Sequence, residues 1–179
     1  MSESYERATC GEVHEGLPMS FAAEFPDMYA NMDRDECDAR AVIGSDQCII
    51  DQQWFFIRGC LEIPIIGSND VFLWGLWTSV REEVFDEISE CWELMGRERS
   101  YGAFKGRLGN SLSVCPPTLN LKVQIVIRPL GERPLFAVEE TGHALAIDQS
   151  SGITRDRALA MAALLLHQER GGFPGALNV

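Results

Sequence analysis

The chain has 179 residues, of which 46% are hydrophobic, enough for one domain with a sizeable core and too apolar for a disordered segment. Its 27 acidic and 15 basic residues give a formal net charge of −12, a field that repels nucleic acid and anionic lipid and favours basic partners. No run approaches the ~18 apolar residues of a membrane-spanning helix, and Met1 to Gly16 lack the basic-then-apolar pattern of an export signal. Cysteines 10, 37, 48, 60, 91 and 115 are scattered without a CxxC pair, so the expectation is a cytoplasmic protein with reduced thiols.

Residues 10–168 read as one α+β domain between polar or Gly/Pro-bearing tails, 1–9 and 169–179, that are expected to be flexible. After a turn-rich opening, Asp33 to Arg40 fits one or two helical turns. Strands then dominate. Cys48-Ile49-Ile50 and Trp54-Phe55-Phe56-Ile57 flank a polar turn at Asp51-Gln52-Gln53, and Cys60 to Ile63 extends the second run. The Gly67-Ser68-Asn69-Asp70 turn leads into Val71 to Thr78, rich in β-branched and aromatic residues and expected as a central strand.

The clearest helix follows, over residues 80–95. Ser79 and Glu82 have capping-box spacing, Val84, Ile88, Cys91, Trp92 and Met95 define an apolar face with Phe85 beside it, and Gly96 suits a left-handed exit. Residues 97–117 read as a long loop with a short strand near Tyr101 to Phe104. Leu119, Leu121, Val123, Ile125 and Ile127 alternate with polar residues until Pro129, the period of a half-buried strand. Leu135 to Glu139 and His143 to Ile147 read as further strands. Thr154 caps a last helix that points Ala158, Met161, Ala162 and Leu165 inward. This order implies a mostly antiparallel sheet with two main helices packed on one face.

Several segments together carry a family likeness. Cys10-Gly11-Glu12-Val13-His14-Glu15-Gly16-Leu17-Pro18, Ser45 to Asp51, and Phe55 to Pro64 resemble, in order, motifs of the bacterial family catalogued as domain of unknown function 2199. Thr118 to Lys122, Arg128-Pro129, Arg133-Pro134 and His143 to Ala146 match its C-terminal half. The resemblance runs from about Cys10 to His167 and implies a bacterial protein without implying an activity. The family often opens with C-x-x-C-G-x-x-H, where Arg7 stands here in place of the first cysteine. That substitution removes a ligand from any site built on Cys10 and His14, with Cys48 and Cys60 completing the four ligands that zinc needs. No metal and no cofactor is expected.

Nor does the chain carry GxSxG, HExxH, a phosphate loop with lysine, or GxGxxG. Asp46, Asp51, Arg58, Glu62 and His143 would make a composite active site if the fold gathered them, although strand-borne Arg and Glu more often pair across a sheet. The helix over 80–95 is the more telling feature. Glu82, Glu83, Asp86, Glu87, Glu90 and Glu93 crowd its polar face, with like charges one turn apart that each cost ~0.2–0.5 kcal/mol. Glu90 and Glu93 also sit toward the end of the helix where the dipole disfavours acids. Solvation accounts for such a run, and so does a basic protein partner. The leading expectation is a non-enzymatic binding protein with an acidic face, one form of which is an immunity-type protein that neutralises a basic toxin. A small enzyme with the composite site and a zinc-stabilised regulatory domain are the alternatives.

Overall fold

The computed structural model describes residues 4–6, 13–15 and 17–170. Both helices and strands are present, and the α+β expectation holds. Strands β1 (Ser4–Glu6) and β2 (Val13–Glu15) form a two-stranded antiparallel ribbon. The main sheet contains β3 (Ser20–Ala22), β4 (Ala41–Ile43), β5 (Gln47–Ile50), β6 (Trp54–Pro64), β7 (Val71–Val80), β8 (Phe104–Leu108), β9 (Lys122–Val126) and β10 (Leu135–Val138). The helices among the described residues are α1 (Asp27–Ala30), α2 (Arg34–Arg40), α3 (Glu82–Cys91), α4 (Arg97–Ser100), α5 (Ala144–Ser151) and α6 (Arg155–Arg170).

The sheet is not an open antiparallel layer. Strands β6 and β7 pair along their whole length, from Phe55 opposite Val80 to Pro64 opposite Val71. Strand β7 continues antiparallel through β8 and β9 to β10, and β10 returns to β6 in parallel, with Leu135 opposite Cys60. The five strands therefore close into a barrel, which removes their free edges. Outside this ring, β3 lies parallel to β7, and β5 and β4 extend from the first half of β6.

Closure depends on Gly59. A Cβ there would sit 2.4 Å from the Phe136 ring and 2.7 Å from the Pro134 carbonyl oxygen, so only glycine lets β10 approach β6. Gly106 plays the matching part on β8, where a Cβ would lie 2.6 Å from Thr78 Oγ1.

The barrel encloses Ile57, Leu61, Ile63, Phe72, Leu76, Leu108, Val123, Ile125 and Phe136, and both long helices feed the same core. Helix α3 contributes Val84, Phe85 and Ile88, each such burial worth ~1.5–3 kcal/mol, and α6 contributes Ala158, Met161 and Ala162. The expected face of α3 is therefore present, except that Trp92 is only partly buried and Met95 is exposed. A second, smaller core of Cys48, Ile50, Phe56 and Trp77 lies on the other side of β6, beneath Tyr29 and Met32. Strand β6 is thus apolar on both faces over its first half.

Three local expectations are corrected. Ser79 belongs to β7 and bonds the Arg107 carbonyl, so the N-cap of α3 is Arg81, which makes no side-chain cap. The segment after His143 is helix α5 rather than a strand, because the His143 ring accepts the Leu145 N–H and caps it. The short strand expected near 101–104 begins only at Phe104. Elsewhere the helical turns expected over Asp33 to Arg40 are present as α2, Thr154 accepts the Arg157 N–H, and Gly96 adopts the left-handed conformation (φ 76°). The structure adds a capping box of Asp33 and Glu36 on α2.

Candidate functional site

Two groups of charges stand out, one on the outer face of β6 and one on α3. On β6 the inward positions are apolar, so Arg58, Cys60 and Glu62 alternate outward. Arg58 is 6% exposed and lies over the Trp77 ring, its carbon centre 5.7 Å from the ring centroid. Its two terminal nitrogens donate to the carbonyls of Ser45 and Ala23, at 3.4 and 3.2 Å, and its buried Nε has no partner among the described residues. Burial, and then the charge of Arg133, lower the Arg58 pKa.

Asp46 accepts a hydrogen bond from Arg133 Nε at 2.5 Å and one from the Ser45 hydroxyl at 2.6 Å. Burial would push its carboxyl up. Those two hydrogen bonds and the charges of Arg133 and Arg58 outweigh burial and hold it below its ordinary value. Glu62 pairs with Arg128 at 3.2 Å, and Arg128 also pairs with Glu132.

The fold thus brings Asp46 near Arg58 and places Glu62 on the same outward row, and it leaves the other two composite-site residues elsewhere. Asp51 sits in the β5–β6 turn, gripped by Arg40 at 2.9 and 2.7 Å, which draws its carboxyl below the usual range. That turn holds Asp51 and Gln52 at positive φ (54° and 55°). His143 caps α5 through Nδ1, and its Nε2 lies 3.1 Å from the Pro117 carbonyl. Both contacts are satisfied at once by the neutral ring with its proton on Nε2. Neither residue is free to act on a ligand beside Arg58.

Cys48 is fully buried in the smaller core, and burial raises its thiol to about 12. Burial also pushes Cys60 up. Burial therefore disfavours the thiolate that a cysteine nucleophile needs at both positions. Arg7, Cys10 and the side chain of His14 lie outside the described residues. Among the described residues no group of three or more His, Cys, Asp or Glu could hold a metal, and the five described cysteines are free.

Helix α3 presents the opposite picture. Glu82, Glu83, Asp86, Glu87 and Glu90 are all exposed on it, and Glu93 is exposed just past its end at Cys91. None of the six is within ion-pair distance of a base among the described residues. Sequence reasoning found this group. It missed Arg133 and Arg128 as the partners of Asp46 and Glu62, and Arg97 altogether. Arg97 is 3% exposed and donates to the carbonyls of Trp92, Arg128, Pro129 and Glu132 while lying over the Trp92 ring.

A family model described as an uncharacterized protein conserved in bacteria (DUF2199) matches residues 7–153. The chain belongs to this family. No curated protein and no solved structure matches it. Membership covers the β6 signature, the whole of α3 and all five strands of the barrel. No described helix is long and apolar enough to cross a membrane.

Proposed function

We propose that this DUF2199 protein is a non-enzymatic binding protein that presents α3 to a basic protein partner. One observation carries the reading. The six carboxylates of Glu82, Glu83, Asp86, Glu87, Glu90 and Glu93 are exposed and unpaired among the described residues, whereas Asp46, Asp51, Glu62 and Asp148 each have an arginine. Clustered like charges repel and weaken the helix that carries them, so their grouping serves the fold poorly. A dense negative face accelerates encounter with a positive partner and rejects nucleic acid and anionic lipid. A protein that neutralises a basic toxin by imitating the charge of the toxin's polyanionic substrate is one form of this function.

The enzyme reading has less support. Asp46 and Glu62 each already hold an arginine, and His143, the histidine of the composite site, is engaged as a cap. Crosslinking in cell extract at low salt, followed by mapping of the linked residues, tests the proposal. Links from a basic protein concentrated on 82–93 support it. Links spread evenly over the surface, or a small-molecule turnover that Arg58→Ala abolishes, would reject it.

A further inference from the structure

The acidic face does not end at Cys91. The turn after α3 exposes Leu94 (51%) and Met95 (88%) directly after Glu93. Met95 then forms, with Gly96, Glu98, Arg99, Pro129 and Leu130 (45% exposed), an open groove of about 600 Å³. Such large apolar side chains ordinarily turn inward, and a cluster of them beside a charged face is the usual anatomy of an interface, an apolar centre with a polar rim.

The two segments that line the groove are tied together. Buried Arg97, between Gly96 and Glu98, donates to the carbonyl of Trp92 and to those of Arg128, Pro129 and Glu132. This buried guanidinium joins the end of α3 to the 128–132 loop, so the backbone on both sides of the groove is pre-organised and less ordering is needed when it is filled.

We infer that this groove seats an apolar anchor of a basic partner, whose lysines or arginines lie along α3. The inference rests on the binding role proposed for α3 and adds where the partner's non-electrostatic contact falls. Charge complementarity selects the occupant. A second copy of this chain would bring α3 against another −12 surface, and an uncharged partner would leave the acids of α3 and Glu93 without counter-charges. Glu98 is only partly neutralised by Arg99, at 3.4 Å, and its second, buried oxygen has no partner among the described residues. The fitting partner is a segment with a leucine- or methionine-sized side chain flanked by bases, such as one face of a basic amphipathic helix.

The probe is a synthetic helix-forming peptide of lysines and leucines, together with a version in which serine replaces every leucine at the same charge. Both are titrated into the full chain and followed by amide chemical shifts and by affinity at fixed salt. The leucine peptide is expected to shift the Met95, Gly96 and Leu130 amides together with those of α3. The serine peptide should shift α3 alone and bind on the order of tenfold more weakly, the equivalent of one buried apolar side chain. The neutral variant Met95→Ser/Leu130→Ser alters only exposed side chains, so it should fold normally. It should lose about the same factor for the leucine peptide and nothing for the serine peptide. Equal binding of both peptides with the groove unperturbed overturns the groove inference and leaves the α3 reading standing. Failure of both peptides to bind overturns both. A groove filled only after residues 171–179 are removed, or a dimer in sedimentation that Met95→Ser/Leu130→Ser dissolves, assigns the seat to the chain itself and also overturns the inference.

Discussion

The outer row of β6 and the outer face of α3 both carry charge, and they use it in opposite ways. On β6 each outward charge meets an internal partner. Glu62 meets Arg128, while Arg58 lies over Trp77 within reach of Asp46, which Arg133 also holds. On α3 and just past its end six carboxylates are exposed with no arginine paired to them among the described residues, although the chain supplies arginines generously to the barrel. A charge that is desolvated must be paired, so the β6 group belongs to the fold. A charge that stays solvated is free for an encounter, so the α3 group is the one available to a partner. Substitutions in the two regions should therefore separate stability from binding.

The largest effect is expected where the β6 row depends on close approach. Gly59→Ala places a methyl against the Phe136 ring and the Pro134 carbonyl. Denaturant titration should show a loss of about 3 kcal/mol, the upper part of the overpacking range. An unchanged midpoint would mean that the β10–β6 closure is loose. Next, Arg58→Ala removes the cation over Trp77 and strips the carbonyls of Ser45 and Ala23 of their donors. A loss of about 2 kcal/mol is expected from unpaired buried acceptors, read by the same titration. Stability equal to wild type would place Arg58 among the functional charges and break the comparison.

Asp46→Asn should cost less, about 1 kcal/mol near neutral pH, because Arg133 is partly exposed and solvent screens the pair. Its signature is the pH dependence. The folded carboxyl titrates below its ordinary value near ~3.9. The stability it supplies is fully present above that ordinary value and is lost as pH falls through the depressed one. The difference between wild type and Asp46→Asn should therefore close in the acid limb of a pH series. A gap that widens there would mean that the carboxyl is not held by Arg133.

Much of this was legible in the residues themselves. The spacing of Val84 and Ile88 placed α3 and its buried side, and the alternation through Val123, Ile125 and Ile127 placed β9, because both patterns are local. Barrel closure was not legible, since it rests on one parallel pairing, Leu135 with Cys60, across 75 residues of chain. The partners of the β6 charges were hidden for the same reason. Arg128 lies 66 residues from Glu62, and Arg133 lies 87 residues from Asp46. His143 to Ile147 deceived because a short apolar run fits either period, and only the ring of His143 on the Leu145 N–H decides for the helix. The α3 acids were readable at once, since exposure needs no partner in the chain.

On α3 itself the expected stability effect is smallest and of opposite sign. Glu83→Gln/Glu87→Gln/Glu90→Gln relieves like-charge contacts one turn apart, and the fold should gain a few tenths of a kcal/mol in denaturant. A clear loss would mean that these carboxylates hold the helix through contacts made within the chain.

That triple variant also supplies the most direct test of the central claim, through the association rate with a basic partner captured from the protein's own cells, measured by stopped flow across a salt series. The account predicts that the wild-type rate is fast at low salt and falls steeply past physiological strength, where the Debye length is ~8 Å. The triple variant should start slower and fall less, since long-range attraction acts mainly on the encounter. Equal rates and equal salt slopes for the two proteins would contradict the account and remove α3 from the interface.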